Sequence, residues 1–272
     1  MAVYTKITNK EIISISNSYK LDKIIKFTGI KKGIENTNYL LRTRKKKLIL
    51  TIFEKRIKKK DLPFFMNLMD RLNQKNILCP KPLKDKKGQH LNKIKGKSAC
   101  IVSFLEGKDK AKLNNKNCFE IGKNIAKFHK AANKIKLYRR NSMSVTQLDS
   151  LLKSIKIKSS KIDSGIVPIL YKNLKDIKKK WPKNLPSGII HGDLFIDNIF
   201  FNKKNFSGFI DFYFSSNDYL MYEIAICINA LCFDNDKKKF LMNNQKVKNL
   251  INGYESIRVF SKKEKNSLNV LC

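Results

Sequence analysis

The chain has 272 residues, 58 of them Lys or Arg against 22 Asp or Glu, for a formal net charge of +36. An apolar content of 42% with 10% aromatics excludes a disordered polycation, which lacks surface to bury, and no apolar run reaches the ~18 residues of a membrane-spanning helix. The polar sequence after Met1–Ala2–Val3–Tyr4 carries no signal-peptide pattern. The expectation is a cytoplasmic chain, long enough to bury a substantial core as one domain or two packed lobes.

In chain order, Thr8–Asn9–Lys10–Glu11 is a capping box, which starts a short helix to about Tyr19. Strand-like runs follow near Ile24–Phe27, Tyr39–Thr43 and Leu48–Phe53. Asp61–Leu62–Pro63 opens a helix through Asn73, with Pro63 in the first turn, where its missing N–H costs nothing. Cys79–Pro80–Lys81–Pro82 ends that unit, and two further strands fit Gln89–Ile94 and Ser98–Phe104. The first hundred residues therefore predict a mostly antiparallel sheet with one long helix against it.

Beyond Glu106–Gly107 the pattern turns helical. Asn117–Ala132 is apolar at 118, 121, 125, 128 and 132, the spacing of an amphipathic helix. Ile166–Trp181, Tyr219–Phe233 and Lys237–Tyr254 are also helix-like, and the loop-rich stretch from Pro186 to Phe214 separates the first of these from the other two. Within it, Ile199–Asn202 and Ser207–Ile210 read as two short strands around Lys203–Lys204–Asn205. Ser261–Lys262–Lys263–Glu264 is a second capping box with only eight residues beyond it. A helix that short is marginal unless something packs on it, and the expectation is a chain that stops before its fold is complete. The predicted class is α+β and two-lobed: a small antiparallel-sheet lobe over 1–105 and a larger, mainly helical lobe over 106–272.

The charge invites a nucleic-acid reading, but its make-up argues against one. Seven Arg accompany 51 Lys, and base readers lean on Arg for bidentate contacts to guanine. The lysines are spread through nearly every segment, and Lys, Asn and Ile all have A/T-rich codons, so base composition accounts for the pattern. No specific nucleic-acid partner and no membrane are expected. The six cysteines (79, 100, 118, 227, 232, 272) form no C-x-x-C pair and have no His at zinc spacing. Most sit among apolar neighbours, as Cys100 and Cys227 do, and read as small core residues of a reducing compartment.

The strongest chemical signal is His191–Gly192–Asp193–Leu194–Phe195–Ile196–Asp197–Asn198, followed by Gly208–Phe209–Ile210–Asp211–Phe212. Phosphoryl transfer from ATP needs one carboxylate to orient the acceptor hydroxyl and take its proton, and a separate carboxylate and amide oxygen to hold Mg²⁺ against the phosphates. The D-x-x-x-x-N spacing lets one loop present Asp193 and Asn198 to a small volume, and Asp211, after the next hairpin, supplies the second metal ligand. The bland alternative makes Asp193 a cap and Asp211 a turn residue. Asp197 reads as a solvated neighbour.

These motifs resemble those of the kinase-like aminoglycoside phosphotransferases and choline kinases. The chain is similar, almost end to end, to the bacterial homoserine kinases of that superfamily. The resemblance runs through Met1–Thr5, Gly33–Ile34–Glu35–Asn36, Leu48–Thr51, Glu54–Lys55–Arg56, Asp61–Phe65, Ser103–Gly107 and Asp211–Phe214. It implies ATP and Mg²⁺ as cofactors and L-homoserine as the acceptor, with O-phosphohomoserine made for threonine synthesis. By resemblance Asp193 is the catalytic base, His191 braces its loop, and Asn198 and Asp211 bind Mg²⁺. Glu223 stands where relatives usually carry an Asp that supports the loop. Ser103, Leu105 and Glu106 fall in the hinge that recognises adenine, and Gly33 and Asn36 in the turn over the phosphates. Asn36, Tyr213 and Asp218 are candidates for lining the amino-acid site. The third-strand cation that holds the nucleotide phosphates in typical kinases is replaced by Thr51, which leaves Lys55 or Arg56 further along. A kinase for another small alcohol, a truncated inactive relative and a polycationic binder are the alternatives.

Overall fold

The computed structural model describes residues 3–33, 35–157, 165–236 and 239–272. Met1, Ala2 and Ile34, which carry part of the resemblance, lie outside the described residues, as do Lys237 and Lys238. The chain divides into two compact units, Met1–Lys110 with Asp197–Tyr213, and Ala111–Ile196 with Phe214–Cys272. The sequence set the boundary near 105. The cut falls at Lys110, and the segment bearing Asn198 and Asp211 packs with the first unit.

In the first unit, α1 (Asn9–Ser18) begins at the predicted box, where the Thr8 amide donates to the Glu11 carboxylate at 2.7 Å. Five antiparallel strands follow in the order β1-β2-β3-β5-β4: β1 (Lys26–Gly29), β2 (Thr37–Arg42), β3 (Lys47–Ile52), β4 (Leu91–Ile94) and β5 (Lys97–Ser103). Period-two alternation sends Tyr39 and Leu41 of β2 and Leu48, Leu50 and Ile52 of β3 into one core with Ile12 and Ile15 of α1. The helix α2 (Leu62–Gln74) has Pro63 in its first turn and buries Leu62, Phe65, Met66, Leu68, Met69 and Leu72, a stripe at helical spacing.

In the second unit, α3 (Asn115–Ala132) is capped by Asn114, whose side chain accepts from the Asn117 amide at 2.9 Å. Three features here were not predicted. The helix α4 (Val145–Ile157) precedes the expected α5 (Ile166–Lys180). Its apolar positions have the helical period, but Ser and Lys interrupt them. Strand β6 (Ser187–Ile190) pairs with a strand at Ser216–Tyr219, a ladder across about thirty residues that no local pattern announces. Between them, β7 (Ile199–Asn202) and β8 (Asn205–Phe209) form the hairpin expected from the sequence, and Ser216–Tyr219 is β9. After α6 (Leu220–Leu231), β10 (Phe233–Asp236) pairs with β11 (Lys239–Met242), so residues 239–242 are strand where a helix was predicted over 237–254. That helix, α7 (Asn244–Glu255), starts later because Asn243 caps it, accepting from the Lys246 amide at 3.1 Å while donating to Asp234 at 2.7 Å.

The helices α3 and α7 cross so closely that a Cβ on Gly122 would sit 1.9 Å from the Leu250 carbonyl oxygen, and one on Gly253 2.0 Å from that of Phe119. Backbone cannot yield as a side-chain tip can. Gly122→Ala is expected to destabilise the protein by about 1–3 kcal/mol through overpacking, read as a lower midpoint in urea unfolding; an unchanged midpoint contradicts the close crossing.

The short terminal helix, α8 (Lys262–Leu271), does form on the second capping box. It is not marginal, because it is packed: Glu264, Ser267 and Leu271 are buried, the Arg258 guanidinium donates to Glu264 at 2.8 Å, and the Asn229 amide of α6 donates to the Cys272 carbonyl at 2.9 Å. All six cysteines are free, and all but Cys272 are buried, as expected of core residues.

Candidate active site

A cavity of about 280 Å³ lies within the first unit. The β7–β8 hairpin sets one wall. Its ladder places Ile199 opposite Phe209, and the Ile210 amide donates to the Asn198 carbonyl at 3.0 Å, so Asn198 and Asp211 emerge side by side and both line the cavity. Asp211 has φ +63°, a left-handed backbone that Asp tolerates better than most residues and that turns the chain out of the strand. The opposite wall comes from the sheet: Thr51 of β3, Asn38 of β2, and Val102 to Leu105 at the end of β5. The Thr51 hydroxyl donates to the Asn38 side-chain oxygen at 2.7 Å.

Tyr213 also lines the cavity. Its ring packs edge-on against Phe53 and Phe65, with centroids 5.1 and 5.7 Å away. Burial, reinforced by Cys100 and Asp211, pushes its phenol well above the ordinary value, so it stays neutral at physiological pH.

Of the residues singled out from the sequence, Gly33, Ser103, Leu105, Asn198, Asp211 and Tyr213 are brought together around this cavity. Asn36, Lys55 and Glu106 are not among its lining residues. Asn36 is buried, its side-chain oxygen accepting from the Glu54 amide at 3.4 Å. Lys55 is exposed, Arg56 pairs with Glu35, and the Glu106 carboxylate pairs with Lys47 at 2.9 Å. Asp197 is exposed, as expected of a solvated neighbour, yet it also lines the cavity.

The other candidates lie in the second unit. His191–Gly192–Asp193 leaves the buried end of β6, with His191 fully buried and Asp193 half-buried. Gly192 adopts φ +78°, and a Cβ there would meet the Phe214 carbonyl oxygen at 3.1 Å. The Glu223 carboxylate on α6 accepts from the His191 amide at 2.7 Å and the Gly192 amide at 2.8 Å. The longer Glu therefore reaches the loop backbone from its helix. Asp218 accepts from the Asn141 amide at 2.6 Å.

Sequence reasoning missed His129. Its Nε2–H donates to Glu223 at 3.2 Å, and its Nδ1 lies 2.9 Å from the Tyr254 hydroxyl, with all three side chains fully buried. The only signal was weak: one of three histidines in the chain, on the apolar face of a predicted helix. Burial opposes ionisation of Glu223, but the hydrogen bond and charge of His129 and the loop amides outweigh it and hold the carboxyl below its ordinary value.

A divalent cation fits the cavity's donor set. Three carboxylates (Asp109, Asp197, Asp211) and one ammonium (Lys32) line it with the Asn198 amide, and a polyphosphate would meet an excess of like charge without a metal ion between. Among the described residues no group of three or more His, Cys, Asp and Glu could hold a metal alone. The Asp211 carboxylate and Asn198 amide, both lining the cavity, offer one or two oxygens of the kind on which Mg²⁺ keeps phosphate and water as its other ligands.

The fold is protein-kinase-like. An amicoumacin kinase solved in complex with AMP-PNP, Ca²⁺ and Ami superposes with a TM-score of 0.76 at 14% identity, over 97% of this chain and 82% of that one. The chain belongs to the phosphotransferase enzyme family, whose model matches residues 26–260. Within that family it is similar to proteins curated as homoserine kinases. It is 41% identical over 271 residues to that of Agrobacterium fabrum strain C58, covering 100% of this chain and 83% of the relative. To that of Rhizobium meliloti strain 1021 it is 40% identical over 272 residues, covering 100% and 82%. Among the described residues no helix is long and apolar enough to cross a membrane.

Proposed function

We propose that this protein is an ATP-dependent homoserine kinase of the threonine pathway, acting in the cytoplasm. The observation that carries the acceptor is the end-to-end likeness, near 40% identity, to curated homoserine kinases. The reaction moves the γ-phosphoryl group of ATP to the hydroxyl of L-homoserine, giving O-phospho-L-homoserine and ADP. Asp193 takes the hydroxyl proton as the oxygen forms its bond to phosphorus and the bond to the β-phosphate bridging oxygen breaks. Glu223, ionised by its buried hydrogen bonds, holds the two amides that lead into Asp193. Asn198 and Asp211 would hold Mg²⁺, which neutralises the phosphate charge when bound. Ser103 and Leu105 offer backbone groups to the adenine, and Tyr213 gives the acceptor end a neutral hydroxyl. The reducing compartment agrees with six free thiols.

Purified protein supplied with ATP, Mg²⁺ and L-homoserine is expected to release ADP only when all three are present, read in a coupled assay. Turnover of choline or an aminoglycoside without turnover of homoserine would overturn the acceptor.

A further inference from the structure

The cation that grips the nucleotide phosphates is missing from its usual strand. Thr51 stands there and spends its hydroxyl on Asn38. The two cations next along the chain do not reach the cavity either, since Lys55 is exposed and Arg56 pairs with Glu35. Among the described residues that line the cavity, Lys32 is the only Lys or Arg. It sits beside Gly33 in the β1–β2 connection, and its Nζ reaches across to the Asp109 carboxylate at 2.6 Å, on the segment that follows β5. Both partners line the cavity, so the pair straps its mouth. Their side chains are 61% and 33% exposed, and an ion pair so open to water contributes little and is readily exchanged.

We propose that Lys32, carried on the glycine turn, is the phosphate-binding cation of this enzyme, and that Asp109 is its counter-ion until nucleotide binds. An incoming triphosphate takes Lys32 from Asp109, because a polyphosphate oxygen offers more negative charge than one carboxylate and as good a charge-assisted hydrogen bond. Asp109, left without its cation, then opposes nucleotide binding by repulsion. The inference rests on the nucleotide reading of the cavity and adds to it a cation on a turn in place of one on a strand.

The test compares ATP with adenosine by titration calorimetry of the full chain in Mg²⁺, using wild type, Lys32→Met, Lys32→Arg and Asp109→Asn. Lys32→Met is expected to weaken ATP binding by about tenfold or more, the loss of one charge-assisted contact, with adenosine affinity unchanged. Lys32→Arg keeps the charge and should restore most of the loss, while Asp109→Asn should bind ATP as tightly as wild type or more tightly. Equal weakening toward ATP and adenosine in Lys32→Met, or no weakening toward ATP, overturns the assignment of Lys32. Weaker ATP binding by Asp109→Asn overturns the exchange. A wild-type protein that binds neither ligand overturns the nucleotide reading itself, and the assignment with it.

Discussion

Asp193→Asn is expected to lower kcat for homoserine phosphorylation by about a thousandfold, the usual worth of a positioned general base. That corresponds to roughly 4 kcal/mol of barrier at 1.36 kcal/mol per tenfold. The amide is isosteric and cannot accept the hydroxyl proton. It leaves the loop backbone in place, because the Asp193 carbonyl still accepts from the Phe195 amide at 2.9 Å. ATP affinity should therefore stay within about twofold of wild type, since a general base at Asp193 would act on the acceptor and not on the nucleotide. Steady-state rates and ATP titration of the same preparation check both statements. A variant with near-normal kcat removes Asp193 from the chemistry.

Glu223→Ala is expected to cost about 3 kcal/mol or more of stability, since each buried donor left unsatisfied costs about 1–3 kcal/mol. The loss is larger than for an ordinary core truncation because three donors are stranded together: the His191 amide, the Gly192 amide and the His129 ring. Glu223→Asp separates support from mere burial. It keeps the charge, fails to reach both amides from α6, and should lower kcat more than it raises the KM for ATP. The pH dependence follows with its sign. The folded-state carboxyl is depressed below the ordinary 4.5, so its stabilisation is fully present above the unfolded value. It is lost as pH falls through the folded value. Thermal unfolding midpoints should therefore drop below about pH 4.5, and less steeply in Glu223→Gln than in wild type. Parallel profiles for the two proteins contradict the assignment.

Whatever in this protein is set by neighbours three or four residues apart is legible in the amino-acid sequence. Both Thr/Ser-x-x-Glu boxes cap helices, since the partners are adjacent once one turn forms. The sheet of the first unit follows from period-two burial in β2 and from the near-continuous apolar runs of β3 and β5, and α2 and α3 follow from their apolar stripes. The β7–β8 hairpin could be drawn from its flanking strands, and with it the juxtaposition of Asn198 and Asp211. The start of α7 was harder. Lys237–Tyr254 has helical periodicity, yet the Asn243 cap and the pairing of Phe233 with Met242 overrode its first turns. The β6–β9 ladder escaped because its strands are four residues long and meet only after the intervening hairpin has folded.

The site divides along the same line. Asp193, Asn198 and Asp211 carry a signature in their spacing, because one loop and one hairpin must deliver them. Sequence alone thus determined the class of chemistry, and nothing in that chemistry calls for a charge of +36. Tertiary structure decided which distant groups meet. His129 meets Glu223 across 94 residues and Tyr254 across 125. With 58 cations in the chain, no spacing rule could single out Lys32 as the one that lines the cavity among the described residues. These contacts depend on how helices cross and how turns fold back over the sheet. The free energy that selects them comes from burying whole faces, where no short stretch of sequence holds both partners.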